Sequence, residues 1–203
     1  MEQQGENMQA EDLYAKIPDT EPEWADATFR LGYLRLQRSD FAGAVQAFES
    51  CLVKREQWPE AQLNLGIANW KMGDADAARK AFEQVLAASP QSPDALRGLA
   101  ALALERQDYD QAFTLHTQLM ELGERSPELF YNAGLIAQKR GQAQDTARFY
   151  EEALSERPKF AEARLNLGHA LKSLGQEDEA RSCWRRAVDA KPELAQSYFE
   201  PAR

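Results

Sequence analysis

A period of 34 residues runs through most of this chain and limits what it can fold into more than any other feature. The hexapeptide AQLNLG at residues 61–66 returns as ARLNLG at 163–168, which is 102 residues or three periods later. Cutting the chain from Ala25 gives the blocks 25–58, 59–92, 93–126, 127–160 and 161–194, with no insertion or deletion between them. The eighth column reads Gly32, Gly66, Ala100, Gly134 and Gly168, and the twentieth Ala44, Ala78, Ala112, Thr146 and Ala180, all small. The twenty-fourth is always large: Phe48, Phe82, His116, Tyr150 and Trp184. A unit this short cannot bury its own apolar face, so each block needs its neighbours stacked against it.

Each block reads as two helices. Leu63, Leu65, Ile67 and Trp70 in the first half of the second block, and Ala78, Phe82, Val85 and Leu86 in its second half, recur at helical spacing. Short polar linkers such as KMGDAD and RGQAQD suit antiparallel helical hairpins. Small residues in columns eight and twenty allow close backbone approach, and the large residue in column twenty-four fills the space beside them. Bulk at Gly168 or Ala180 is therefore expected to be harmful. Ser92-Pro93-Asp94 and Ser126-Pro127-Glu128 place an N-cap, a proline at the first helical position and an acid near the positive helix end. Pro90, Pro158 and Pro192 follow the second helices of their blocks and prevent continuation.

At these columns the sequence resembles the tetratricopeptide repeat (TPR) family over residues 25–194. The resemblance implies an all-α fold, a right-handed superhelical solenoid of five TPR helical hairpins with short terminal capping segments. Running the register backwards puts Ala10, Tyr14 and Ile17 in second-helix columns, which predicts a capping helix at about 8–17 within an acidic segment 1–24. Residues 195–203 read either as a short C-terminal cap or as the start of a truncated sixth helix, interrupted by Pro201.

Charge and composition remove several function classes. Of the formal charge of −9, residues 1–24 supply most, with seven acids against Lys16. No basic stripe exists to displace counterions from phosphates, so nucleic acid is not an expected partner. No apolar run approaches the roughly 18 residues of a membrane span, which speaks against direct membrane insertion. The start is acidic and polar, with neither a basic nor an apolar signal region, so the default compartment is cytoplasmic. Two cysteines and two histidines match no metal-ligand spacing, and no cofactor loop is present. No nucleophile and base are held together: His116 falls in the large core column and His169 lies far from Cys51. The chain reads as non-enzymatic, with no catalytic, metal or cofactor residues.

The resemblance further implies that the first helices line a concave groove. The columns opposite the core then supply a partner site of Phe29, Arg30, Tyr33, Leu63, Asn64, Ile67, Trp70, Arg97, Tyr131, Asn132, Leu135, Asn166 and His169. Exposed aromatic and aliphatic side chains at such positions mark partner surfaces, although some of them belong equally well to packing between blocks. Asn64, Asn132 and Asn166 share the sixth column, interrupted by Arg30 and Gly98, and in related superhelical arrays asparagines there hold the backbone of an extended peptide. The second column is acidic throughout (Asp26, Glu60, Asp94, Glu128, Glu162), which suits helix starts and would repel a terminal carboxylate. These features point to an interaction scaffold or adaptor that takes a peptide or amphipathic helix of a partner protein. Two other readings stay open: the substrate-presenting repeat region of a larger enzyme such as a glycosyltransferase, and a self-assembling scaffold forming homo-oligomers.

Overall fold

The computed structural model describes residues 10–195. Among the described residues, 10–14 are helical, and ten further α-helices follow. They are α1 (Trp24–Gln37), α2 (Phe41–Lys54), α3 (Pro59–Met72), α4 (Ala75–Ala88), α5 (Pro93–Glu105), α6 (Tyr109–Glu121), α7 (Pro127–Lys139), α8 (Ala143–Glu156), α9 (Ala161–Ser173) and α10 (Glu177–Ala190). A 3-10 turn at Pro192–Leu194 comes after α10. No strand occurs among the described residues. The fold is all-α and built of helical hairpins. It forms two compact units, Met1–Leu102 and Ala103–Arg203, the division falling within α5.

In the first unit α1 packs on α2, α2 on α3, and α3 on α4; in the second α6 packs on α7, α7 on α8, α8 on α9, and α9 on α10. The predicted aromatic-over-glycine contact sets the spacing. A Cβ placed on Gly32 would lie 2.8 Å from the Phe48 ring, and one on Gly66 or Gly134 would lie 2.6 Å from Phe82 or Tyr150. In the third block Ala100 replaces glycine and the narrower His116 replaces the larger ring, both of them buried.

One turn geometry closes all five hairpins. Ser39, Gly73, Gln107, Gly141 and Gly175 occupy the same column and take φ values of 67°, 90°, 59°, 72° and 78°. In each turn the next residue's N–H bonds a carbonyl five residues back, as in Asp74 to Asn69 at 2.9 Å and Gln142 to Ala137 at 2.9 Å. This is the left-handed ending that satisfies the last carbonyls of a helix, and glycine adopts it without a Cβ penalty. Ser39 and Gln107 carry that penalty. Gln107→Gly is therefore expected to stabilise the fold by about 0.5–1 kcal/mol, and Gly141→Gln to destabilise it by a similar or larger amount, both read as shifts in the urea midpoint at constant slope. Asp40, Asp74 and Asp108 then cap the second helices by accepting from the N–H groups of Gly43 (3.1 Å), Ala77 (2.9 Å) and Gln111 (3.0 Å).

At the N-terminal end the helical segment stops at Tyr14, and residues 15–17 turn, with Lys16 N–H bonding Leu13 O and Ile17 N–H bonding Tyr14 O, each at 3.2 Å. Relative to the expected 8–17, Pro18 lacks the N–H that would bond the Tyr14 carbonyl and disfavours helical ψ at Ile17, and the chain closes with these tighter turn bonds instead. Residues 8 and 9 of that expectation, and the expected cap or truncated helix beyond Ala195, lie outside the described residues.

Candidate functional site

In the first unit, helical spacing brings Asp26, Phe29, Arg30 and Tyr33 to one face of α1, and Glu60 and Asn64 to one face of α3. With Ala10 and Tyr14 from the N-terminal helical segment, and with Leu34 and Trp58, they line an open cleft of about 800 Å³. Four residues proposed from sequence thus meet at one place: Phe29, Arg30, Tyr33 and Asn64. Leu63, Ile67, Trp70 and Arg97 are not among its lining residues. The first three are half-buried, the Lys71 ammonium lies 5.2 Å from the Trp70 ring centroid, and the exposed Arg97 is ion-paired with Asp94.

The lining side chains differ in how far they are committed to the fold. Phe29 is half-buried, 4.8 Å from the Trp58 ring and 5.7 Å from that of Phe48. The Arg55 guanidinium lies 4.3 Å from the Trp58 ring centre and 3.4 Å from Asp26. Asn64 donates to the Glu60 carbonyl at 2.8 Å, leaving its amide oxygen and second N–H for other bonds. Tyr33, at 46% exposure, is the large ring of the cleft most open to solvent. Glu60 is exposed and has no ion-pair partner among the described residues. The N-terminal segment is fastened by Glu11, which is buried and ion-paired to Arg38 at 3.2 Å.

In the second unit Tyr131 repeats the situation of Phe29, lying between Tyr150 at 5.8 Å and Phe160 at 4.9 Å. Its hydroxyl accepts from Asn166 at 3.1 Å, and burial raises its pKa. Asn132 is half-buried, while Leu135 is exposed. His169 lies 5.3 Å from the Trp184 ring, and burial, then the Lys172 charge, lower its pKa. A separate polar cleft of about 470 Å³ is lined by Gln107, Asp108, Tyr109, Asp110, Lys139, Arg140 and Gln142, and is crossed by an Arg140–Asp110 ion pair at 2.9 Å.

Three of the column-two acids have partners near the end of the second helix of their own block. Asp26 pairs with Arg55, Glu128 with Arg157, and Glu162 with Lys191. Column thirty-one reads Arg, Ser, Gly, Arg, Lys, and the pairs occur where it is basic. Ser89 and Gly123 offer Glu60 and Asp94 no such partner. The break in the asparagine series also has a cause. Gly98 is buried, and a Cβ there would lie 2.6 Å from the Phe82 ring, so no asparagine fits.

Cys51 is buried, its Sγ 3.3 Å from the Ala25 carbonyl, and desolvation pushes its thiol up to about 12, far from a reactive thiolate. Among the described residues no three or more His, Cys, Asp or Glu side chains are grouped to hold a metal ion, and no helix is long and apolar enough to cross a membrane. His116 is buried, its Nδ1 2.8 Å from the Ala112 carbonyl, and burial lowers its pKa. Its neutral form belongs to the folded state, whereas the unfolded chain takes up the proton near 6.5. This contribution to stability is present above that value and is lost as pH falls through the lower folded-state pKa. The drop in melting temperature from about pH 7.5 to about pH 5.5 is expected to be shallower in His116→Gln than in the wild type. Glu128 and Glu162, held below the ordinary carboxylate range first by hydrogen bonds from Arg157 and Lys191, act only at lower pH.

Tetratricopeptide repeat family models match residues 2–61, 63–116 and 137–198, so the chain belongs to the tetratricopeptide repeat family. The family is in general one of non-enzymatic scaffolds, and its repeats make the chain a protein–protein interaction scaffold. No curated protein sequence matches it. Among solved structures, one described as "MamA AMB-1 P212121" is similar with a TM-score of 0.77 at 18% identity, over 90% of this chain and 100% of that one. A second, "Crystal structure of MamA protein", gives 0.76 at 21% identity, over 90% and 99%. MamA residues 41-end from Desulfovibrio magneticus RS-1 gives 0.74 at 18% identity, over 84% and 97%. These likenesses concern the fold.

Proposed function

We propose that this scaffold works as a non-enzymatic adaptor, and that the cleft of its first unit takes a peptide or amphipathic helix from a partner protein. The observation that carries the proposal is the convergence of Phe29, Arg30, Tyr33 and Asn64 on one open cleft of about 800 Å³. Such a volume is large enough for several side chains of a docked segment. Tyr33 supplies the exposed ring, Phe29 and Trp58 an apolar wall held by their own stacking, and Arg30 and Asn64 polar groups that fix orientation. Rigid aromatic walls with a few polar groups are the usual energetic anchors of a peptide site. In the second unit, taken by itself, Leu135 and the unused capacity of Asn132 and Asn166 are proposed as a separate contact surface.

The test is a selection of peptides from a random display library on the purified chain, with Tyr33→Ala as counter-target. Selected peptides are expected to bind Tyr33→Ala at least about tenfold more weakly, with an unchanged melting temperature for the variant. If every selected peptide binds both proteins equally, the cleft is not the site.

A further inference from the structure

We infer that the occupant of this cleft is a cationic amphipathic segment, with lysine or arginine flanking an apolar anchor. This rests on the cleft reading above and adds the charge of the partner. The acids of the cleft and of the N-terminal segment are unequally answered. Asp26 is held by Arg55 and Glu11 by Arg38. Glu60 lines the cleft with no ion-pair partner among the described residues. The connecting stretch between Tyr14, which lines the cleft, and α1, which walls it, carries exposed Asp19, Glu21 and Glu23 against Lys16, and Asp12 is exposed on the helical segment. Within the cleft Arg30 is the single basic lining residue, set against Asp26 and Glu60.

Two physical consequences follow. The two carboxylates of the lining, beside an aromatic wall of low dielectric, attract a cationic segment and repel an acidic one. The unpartnered Glu60, one helical turn before Asn64, stands where a lysine or arginine of the bound segment meets a carboxylate while its apolar neighbour packs against Phe29 and Tyr33. A charge-assisted bond of that kind is stronger than a neutral one, and salt weakens it where it remains exposed. Arg30 then sets direction, favouring a segment whose carboxylate or carbonyl follows the basic residue.

The same display library serves as the probe. Peptides that depend on Tyr33 are expected to be enriched in Lys and Arg over Asp and Glu, to lose about tenfold in affinity on Glu60→Lys, and to weaken between about 0.05 M and 0.5 M salt. Glu49→Lys, an exposed acid on α2 outside the cleft lining, should leave their affinity unchanged. Tyr33-dependent peptides that are neutral or acidic, or indifferent to Glu60→Lys, would overturn the inference and leave the cleft reading standing. Peptides that do not depend on Tyr33 at all would remove both.

Discussion

Phe82→Ala is expected to lower the unfolding free energy by about 3–5 kcal/mol, the range for deleting a buried aromatic ring. Phe82 is 1% exposed on α4, and its ring meets the first helices of two successive blocks. A Cβ on Gly66 of α3 or on Gly98 of α5 would lie 2.6 Å from it. The ring therefore fills the inside of its own hairpin and the seam with the next at once. Its removal leaves a cavity walled by two glycines, which have no side chains to relax into it, so the cost belongs at the upper end of the range. In an array stabilised by nearest-neighbour contacts, weakening that seam also lowers cooperativity, so the urea slope should fall along with the midpoint. Val53→Ala, at a side chain 80% exposed, is the control and should stay within about 0.5 kcal/mol of wild type. A loss below about 1.5 kcal/mol for Phe82→Ala would mean that the ring does not hold this seam.

Gly168→Leu is the counterpart in the second unit, where the fault is too much volume. A Cβ on Gly168 would run into Nε1 and Cδ1 of the Trp184 indole and lie 3.0 Å from its Cε2. Trp184 is 7% exposed and sits in one cluster with Phe149, Leu167 and Leu171, so the indole has no free space to move into. Forcing α9 and α10 apart is expected to cost about 2–3 kcal/mol. Because the clash is with one ring, Gly168→Leu combined with Trp184→Leu should cost clearly less than the sum of the two single changes. Strict additivity in denaturation experiments would show that glycine is required there for another reason.

The five hairpins were readable because their causes are local and repeated. Helical spacing and polar linkers recur in every block at intervals of 34 residues, joined by a glycine facing a large ring in four blocks and a Ser-Pro start in two, so the same geometry is read several times over. His116 and Ala100 were placed by register in the large and small columns, and both are buried. The shared left-handed turn was half visible, as Gly73, Gly141 and Gly175. Ser39 and Gln107 concealed it, since they take the same positive φ against their own preference, each with its N–H bonded to the carbonyl three residues back.

For the candidate site, the repeat register placed Phe29, Arg30, Tyr33 and Asn64 on one side of their helices, and the residues at 10 and 14 in second-helix columns. Register alone could not say how exposed each side chain would be. Phe29 and Tyr131 occupy the same column as Leu63, yet each packs against an aromatic side chain that ends its block, Trp58 or Phe160, where the other blocks end in serine or leucine. Asn166 is bonded to Tyr131 across 35 positions of sequence, and Asn64 only to its own helix. Periodicity determines the direction in which a side chain leaves its helix. What meets it there depends on the neighbouring hairpin, whose bulk and charge at the contact vary from block to block, so only the tertiary structure decided which aromatic residues became wall and which, like Tyr33, stayed open.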